Sequence, residues 1–262
     1  MKTRTLFGSG SRETSGFHQR IGSGIRERSD SRSAVGSLTT SAALLLVSAL
    51  CLHSQAAPPE AKPQAESEAS PPRVVNLFNG KDLKGWRVVE KVDFEKHGKV
   101  EVKDGVLHLN EGRTATGVSY TGKLPRDNYE ISLEAKRTTG SDFFCGLTFP
   151  VDDEYCTFIV GGWGGGVTGL SNIDGLSAEE NETTGYTEFK KDQWYKIRLR
   201  VTDAAIQGWI DKEQVFDVKR TDRKFAIWWE QEPVRPLGVA AWRTGSALRN
   251  IRLTRLDLPA EK

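Results

Sequence analysis

Apolar and polar residues alternate along most of the chain after residue 98. Residues 99–103 and 106–110 each alternate over five positions, and Asp104-Gly105 between them is a hairpin turn signal. Successive side chains of a strand point to opposite faces, so such a pattern buries one row and leaves the other in water. In the last alternating segment, 248–256, we expect strict alternation with a wet, basic outer row. Further alternating segments lie at 129–135, 194–201, 206–210 and 215–218.

No stretch of the chain shows a sustained helical repeat of about 3.6 residues. Short alternating segments instead follow one another with turn residues between them, which is typical of antiparallel all-β folds. Seven tryptophans occur beside a single methionine, and some of these large rings must belong to the core. The pattern therefore predicts an antiparallel β-sandwich or jelly roll.

The first 72 residues differ in composition from the rest. A basic region, the apolar run 42–52 and the small-residue pattern Ser54-Gln55-Ala56 together resemble a secretory signal peptide. Twin-arginine and mitochondrial targeting are alternatives, although the basic region has no adjacent Arg-Arg pair. Residues 57–72 are rich in proline and poor in apolar bulk, as in a tether. We therefore expect a signal peptide at 1–56, a linker at 57–72 and one domain at 73–258, exported to the periplasm or beyond.

The charge balance excludes some classes of partner. The chain has 37 Lys and Arg against 35 Asp and Glu. Without residues 1–56, which hold seven basic and three acidic residues, the formal net charge is −2. Such a chain has no broad positive field for nucleic acid, and its apolar run is shorter than the roughly 20 residues of a membrane helix. We expect a monomer with no nucleic-acid partner and no membrane span after processing.

Two cysteines, Cys145 and Cys156, remain beyond the predicted signal peptide. The alternating runs on either side of Val151-Asp152-Asp153 predict that they lie on adjacent antiparallel strands. Export to an oxidising compartment would let them form a disulfide. The alternative is a pair of buried free thiols in neighbouring strands.

Several segments together resemble one known family. The most specific is LFNGKDLKGW, which opens the predicted domain at 77–86. Over about residues 74–257 the chain resembles the 3-keto-disaccharide hydrolase family, whose members are also described as 3-keto-glucoside lyases and 3-keto-2-hydroxy-glucal hydratases. The resemblance implies a concanavalin-like jelly roll and an exported, carbohydrate-active protein. The other matching segments are 102–107, 129–134, 145–147, 237–239 and 249–253.

The family's reaction defines which groups a site would need. A ketone at C3 of a sugar acidifies the C2 proton, so a base can remove it while the group at C1 leaves, and water then adds to the enone. The reaction needs a base, an acid and something that stabilises the enolate, which a divalent cation held by oxygen ligands could do. A non-catalytic carbohydrate-binding module is the alternative, because this chain keeps only Glu154 of the family's Glu-x-Gln-Ile-x-Asp stretch.

Three side chains are candidates for acid–base chemistry. Asp174 and Glu182 lie in an acidic, amide-rich run after a series of glycines. His108 shares a predicted strand face with Val106 and Asn110, opposite the apolar row, so it is expected at the surface or in a groove. The alternatives are a solvated acidic loop and a histidine with no catalytic part.

The glycine-rich run 161–166 around Trp163 suggests a sugar-binding surface. It lacks the Gly-Lys-Ser/Thr of a phosphate-binding loop. Glycines let a sugar approach the backbone, and an exposed ring can stack on the sugar's C–H face. We expect Trp163 as the platform and Gly164 and Gly165 as the floor, beside a polar wall. The predicted wall residues are Asn172, Glu180 and Asn181.

A second aromatic group follows later in the chain. In the Trp228-Trp229 pair, strand alternation would bury one ring and expose the other. We expect Trp229, Arg235 and Trp242 to complete the sugar site. For the glycine-rich run 161–166, the alternative is that Trp163 belongs to the core and the glycines around it form a bulged strand.

Overall fold

A computed structural model of the protein describes residues 73–256. The predicted signal peptide and linker lie outside the described residues. Within the described part, no helix is long and apolar enough to cross a membrane. Two short 3₁₀ helices lie at Val92–Phe94 and Trp229–Val234. The strands are β1 (Val74–Asn76), β2 (Trp86–Val88), β3 (Val100–Lys103), β4 (Val106–Leu109), β5 (Ala115–Tyr120), β6 (Tyr129–Gly140), β7 (Cys145–Val151), β8 (Glu154–Gly162), β9 (Val167–Ser171), β10 (Gly185–Tyr186), β11 (Tyr195–Val201), β12 (Ala205–Ile210), β13 (Glu213–Lys219), β14 (Gly238–Trp242) and β15 (Thr244–Arg255).

The strands form two antiparallel sheets that pack face to face. The first has eight strands, in the order β13-β12-β11-β6-β15-β4-β3, with β1 also paired to β15. The second has seven strands, in the order β10-β9-β8-β7-β14-β5-β2. Strands distant in sequence are neighbours in both sheets, as expected for a jelly roll rather than a simple meander. The predicted all-β jelly-roll sandwich is confirmed.

The main core lies between the sheets and follows from the alternation. In β6, Tyr129, Ile131 and Leu133 are buried while the residues between them are partly exposed. Phe158 of β8 meets Phe216 of β13 edge to face across the sandwich, with ring centroids 4.8 Å apart. Each such buried side chain stabilises the fold by about 1.5–3 kcal/mol through removal of apolar area from water.

The predicted hairpin between residues 99 and 110 is confirmed. β3 and β4 pair in antiparallel register across Asp104 and Gly105, whose φ angles are 51° and 79°. Two successive positive φ values define the tight turn that suits the right-handed twist of paired strands. The other predicted strand segments also fall within β6, β11, β12 and β13, apart from the first residue, Trp194, of one of them.

The expectation of strict alternation over 248–256 is wrong. The register of β15 against β6 shifts between Arg249 and Arg252, and Asn250 has a φ of 55°. Leu248 and Ile251 are both buried although they are three residues apart. A β-bulge inserts the extra residue and turns both apolar side chains to the same face.

The outer face of the seven-stranded sheet is also apolar, and this positions the site. Phe158 and Val160 of β8 point into the main core, so Ile159 points to the opposite face. There it joins a second buried cluster with Phe94 of the first 3₁₀ helix and Val234 of the second. The two short helices thus cover part of this face.

The predicted disulfide is absent. Cys145 and Cys156 lie on the adjacent strands β7 and β8, as expected, but Cys145 is opposite Val160 and Cys156 is opposite Phe149. An offset of four residues separates their Cα atoms by about 13 Å along the strands, beyond the roughly 7 Å limit for a disulfide. Both are buried free thiols. Burial raises the pKa of Cys156 to about 12 and raises that of Cys145 further.

Candidate functional site

A groove of about 320 Å³ opens at one end of the seven-stranded sheet, on its outer face. Phe143 precedes β7, Trp163 follows β8 and Trp242 ends β14. β7 lies between β8 and β14 and is antiparallel to both. The start of β7 and the ends of β8 and β14 therefore come together at the same end of the sheet. The backbone N–H of Trp242 donates to the carbonyl of Phe143 over 3.0 Å.

Four indole rings line this groove. Trp163, Trp228 and Trp229 are exposed to 40%, 43% and 61%, respectively. Trp242 stacks on Phe143, with ring centroids 6.1 Å apart and an interplanar angle of 29°. Because exposed aromatic rings in one concavity provide stacking surfaces for the C–H faces of a sugar, we call this the tryptophan groove.

Both rings of the Trp228-Trp229 pair face this groove. The prediction that one would be buried and the other exposed is wrong, because the pair does not lie in a strand. Trp228 has an extended backbone and stands directly before the 3₁₀ helix that begins at Trp229. The change from extended to helical backbone breaks the two-residue period on which the prediction depended.

Trp163 stands at the tip of a tight turn between β8 and β9. The N–H of Gly165 donates to the carbonyl of Gly162 over 3.0 Å, and Trp163 and Gly164 have φ angles of 46° and 87°. A positive φ is unusual for a bulky residue and costs free energy. The turn holds the indole away from the core, so the alternative of a core tryptophan is wrong.

Besides the indoles, the polar side chains that line the groove are two carboxyl groups, one amide and the hydroxyl of Ser171. Asp142 accepts a hydrogen bond from the N–H of Phe143 over 2.7 Å and another from the N–H of Trp163. Burial nevertheless raises the pKa of the Asp142 carboxyl above its usual range. Glu230 Oε2 and Gln231 Oε1 are buried and have no hydrogen-bond partner among the described residues, which leaves two acceptor oxygens of the lining residues unsatisfied.

The glycines around Trp163 enclose an arginine rather than forming a sugar-binding floor. Nη2 of Arg137 donates to the carbonyls of Asp142, Gly161 and Gly165 over 3.1, 3.1 and 2.8 Å. A Cβ on Gly161 would lie 2.6 Å from that nitrogen. Burial lowers the pKa of the Arg137 guanidinium. Gly165 is thus part of the loop's support, whereas Gly164 is exposed beside Trp163 with open space around it.

Asp174 and Glu182 lie outside the tryptophan groove. Both form ion pairs with Arg223, whose Nη1 is 2.6 Å from Asp174 Oδ2. Asp174 also accepts from the N–H of Lys224 over 2.8 Å. That backbone hydrogen bond, followed by Arg223, lowers the pKa of Asp174. A carboxylate held in its ionised form by these partners is a weak base, so the pair fits a loop-closing role better than the predicted catalytic one.

The predicted amide wall is an internal framework of the same loop. Asn181 Nδ2 donates to the carbonyls of Leu170 and Ser177 over 2.8 and 2.7 Å. Glu180 accepts from the hydroxyl of Ser177 over 2.6 Å. Asn172 is buried and exchanges backbone hydrogen bonds with Ala226. None of the three predicted wall residues, Asn172, Glu180 and Asn181, lines the groove.

His108 and Arg235 are also away from the groove. His108 lies on β4 of the other sheet, between the fully buried Leu107 and Leu109, and therefore points outward on the far side of the sandwich. Arg235 pairs with Glu232 on the surface, and its guanidinium lies 5.0 Å from the centroid of the Tyr155 ring. Neither is placed to contact a ligand in the groove.

The structure brings together three of the residues selected from the sequence, namely Trp163, Trp229 and Trp242. The carboxyl groups that join them, Asp142 and Glu230, were not selected. One sequence signal could have found Glu230, since it follows directly on the Trp228-Trp229 pair. Asp142 carries no comparable signal, because it reaches the groove only through the pairing of β7 with β8 and β14.

A divalent cation has no preformed cluster of ligands in the described part of the chain. Within residues 73–256, no three His, Cys, Asp or Glu side chains come together in a way that would hold a metal ion. Asp142 and Glu230 are the two carboxyl groups of the groove. The other side-chain oxygens of the described lining are the carbonyl oxygen of Gln231 and the hydroxyl oxygen of Ser171.

A family model described as the 3-keto-alpha-glucoside-1,2-lyase-like domain matches residues 73–254. The chain belongs to this family. The match confirms the resemblance drawn from the sequence segments and covers nearly all of the described residues. It places the chain among carbohydrate-related jelly-roll proteins. A comparison with curated proteins finds no match.

Solved structures with the same general architecture were also found. A galectin-like protein of unknown function from Bacillus subtilis has 11% identity and a TM-score of 0.49, covering 70% of this chain and 96% of its own. A glycosyl hydrolase family protein from Mycobacterium fortuitum has 9% identity and a TM-score of 0.45, covering 69% and 98%. A carbohydrate-binding module from Bacillus subtilis has 11% identity and a TM-score of 0.43, covering 67% and 98%. Structures with identities and TM-scores this low carry no argument about function. The function is therefore inferred from the family and the groove alone.

Proposed function

We propose that the protein acts on 3-keto-glycosides in the tryptophan groove, breaking the glycosidic bond by elimination followed by hydration. The observation that carries the proposal is the meeting of four indole rings with Asp142 and Glu230 in one concavity of about 320 Å³. The indoles provide stacking surfaces for a sugar ring, and the two carboxyl groups provide acid–base chemistry. Family membership supplies the substrate class.

The environments of the two carboxyl groups suggest different roles. Glu230 lines the groove, and its Oε2 has no hydrogen-bond partner among the described residues, so we assign this carboxylate to take the C2 proton. The electrons of that C–H bond form the C1–C2 double bond as the C1–O bond breaks. Burial raises the pKa of Asp142, so this group holds a proton more readily and would give it to the leaving oxygen.

The test is turnover of a 3-keto-glucoside with a chromogenic leaving group. Glu230→Gln and Asp142→Asn should each lower the rate by about 100-fold or more while sugar binding is largely kept. Two control variants remove carboxylates outside the groove: Glu232→Gln on the same 3₁₀ helix, and Asp174→Asn in the Arg223 ion pair. Both controls should retain turnover. Activity that survives Glu230→Gln and Asp142→Asn would contradict the assignment.

A non-catalytic carbohydrate-binding module is the second candidate, and one observation favours it. Among the described residues that line the groove, none is Lys, Arg or His. An enolate needs nearby positive charge or hydrogen-bond donors, whereas a binding module needs only stacking surfaces and polar contacts. Binding of 3-keto and unmodified glycosides with similar affinity and no product release would establish this candidate over the enzyme.

A further inference from the structure

The ionisable side chains that line the tryptophan groove are both acidic. They are Asp142 and Glu230, and beside them Gln231 is 5% exposed, with its buried Oε1 unpartnered among residues 73–256. Leaving such oxygens buried without a donor is costly, so a ligand that brings donors satisfies them. The faces of the indole rings also carry negative electrostatic potential, which attracts cations.

No cationic side chain of the described lining offsets these acidic groups. Two guanidinium groups, of Arg137 and Arg243, lie close enough to favour the ionised form of Asp142. Nη2 of Arg137 already donates to three backbone carbonyls, those of Asp142, Gly161 and Gly165. Arg243 is exposed beyond the end of β14. A ligand in the groove therefore meets two carboxyl groups, the faces of the indole rings and neutral polar groups, but no positive charge from the described lining.

We propose that the groove selects glycosides that carry a protonated amino group and rejects those that carry a carboxylate. An ammonium group can donate to Glu230 and Gln231 while it lies against an indole face. A uronic acid would instead bring a carboxylate beside two carboxyl groups with no cation in the lining to pair it. This specificity rests on the proposed function only in taking the tryptophan groove as the sugar site.

The experiment compares three disaccharides by calorimetry on the full, unaltered chain. The probes are the β-1,4 disaccharide of glucosamine, its N-acetylated counterpart and a disaccharide of galacturonic acid, at a pH where the free amine is protonated. The glucosamine disaccharide should bind about tenfold or more tightly than its acetylated counterpart, because charged hydrogen bonds are stronger than neutral ones. The galacturonic acid disaccharide should bind most weakly. Added salt should narrow the difference.

Variants then assign the preference to the groove. Glu230→Gln should remove most of the advantage of the amine while leaving affinity for the acetylated sugar within about threefold. The matched control is Glu232→Gln, which changes the same residue type on the same helix and should keep the preference. Thermal unfolding of both variants checks that they fold, and the comparison of probes on the unaltered chain does not depend on either.

The outcomes separate this inference from the proposed function. Equal affinity for the three charge types, or tighter binding of the uronide, overturns the charge selection and leaves the sugar groove in place. A preference for the amine that survives both Glu230→Gln and Asp142→Asn also overturns the charge selection by the groove, because the ammonium group is then recognised elsewhere on the protein. Absence of binding by all three disaccharides and by a 3-keto-glucoside overturns the charge selection and the proposed function together.

Discussion

At the scale of single residues, the site depends on groups held in conformations that they do not prefer. Trp163 has a φ of 46° at an exposed turn, and Asp142 is a carboxyl group drawn partly out of water. Both arrangements cost stability. Such costs are common where a side chain is held in place for a ligand rather than for the fold.

Trp163→Gly should separate binding from stability. Glycine adopts a positive φ readily, so the free energy of unfolding should stay the same or rise. Loss of one stacking ring should weaken sugar binding by about 1–3 kcal/mol, by analogy with other aromatic contacts. Urea unfolding and calorimetry measure the two quantities. A variant that loses several kcal/mol of stability would show that the indole contributes to the core after all.

The raised pKa of Asp142 predicts a particular pH dependence of stability. Burial makes the folded state bind the proton of Asp142 more tightly than the unfolded state, in which an Asp has a pKa of about 3.9. The protonated Asp142 therefore contributes its full stabilisation below the unfolded pKa of about 3.9. This stabilisation is lost as the pH rises through the higher pKa of the folded state. Asp142→Asn should remove this loss, so its melting temperature should fall less over that window than that of the unaltered protein.

Asp174→Asn is the control for the pH experiment, because the pKa of Asp174 is shifted in the opposite direction from that of Asp142. The pKa of Asp174 is lowered by the N–H of Lys224 and by Arg223, so its contribution is present above the unfolded pKa and is lost as the pH falls. The difference in melting temperature between this variant and the unaltered protein should shrink at acid pH. The same pH trend in both variants would contradict the assignment for Asp142.

At the scale of elements, the turn between β8 and β9 is supported by the buried guanidinium of Arg137. Nη2 of this side chain donates to the carbonyl of Asp142 in the β6–β7 loop, to that of Gly161 near the end of β8 and to that of Gly165 in the turn. Two of the loops' residues, Asp142 and Trp163, line the groove. Arg137 therefore links the position of a carboxyl group to that of an indole ring without touching the groove itself.

Gly161→Ala and Gly164→Ala form a matched pair that tests this support. Both glycines have a positive φ, 80° and 87°, so each substitution should carry a backbone cost of about 1–2 kcal/mol. Only at Gly161 would the new Cβ also lie 2.6 Å from Arg137 Nη2, while Gly164 has open space. Gly161→Ala should therefore be clearly more destabilising in urea unfolding. Equal losses would mean that Arg137 moves aside freely.

At the scale of the whole molecule, the two outer faces of the sandwich differ in chemistry. The seven-stranded sheet carries the apolar cluster and the groove. The eight-stranded sheet carries ion pairs such as Arg249 with Glu134 over 2.7 Å, and Arg198 lies 3.6 Å from the centroid of the Trp209 ring. Its charged rows are paired with one another, as on an ordinary wet sheet face.

The composition of the first 72 residues predicts an exported protein whose mature chain begins near Ala57. The basic region, the apolar run 42–52 and Ser54-Gln55-Ala56 are the signal. Intact-mass analysis of protein recovered from the exported fraction should give the mass of a chain that begins near Ala57. Exported protein that retains residues 1–56 would contradict the prediction.

The sequence by itself determined the all-β class, most of the strand segments and the family. Alternation is a local property, because neighbouring side chains of a strand face opposite sides whatever the rest of the chain does. It failed at Asn250 and at the Trp228-Trp229 pair, where a bulge and a change to helical backbone alter the period. Those changes depend on which strands and helices lie alongside.

Only the tertiary structure decided which residues form the site. Asp142, Trp163 and Trp242 are far apart in sequence and meet because β7 lies between β8 and β14. Glu230 joins them because its 3₁₀ helix packs on the same outer face of the sheet. Asp174 and Glu182 are close in sequence to Trp163, yet Arg223, which is distant in sequence, holds them in a separate ion pair. Strand order and long-range pairing are collective results of packing two sheets around one core. A local pattern therefore identifies the rings, and the fold selects the carboxyl groups beside them.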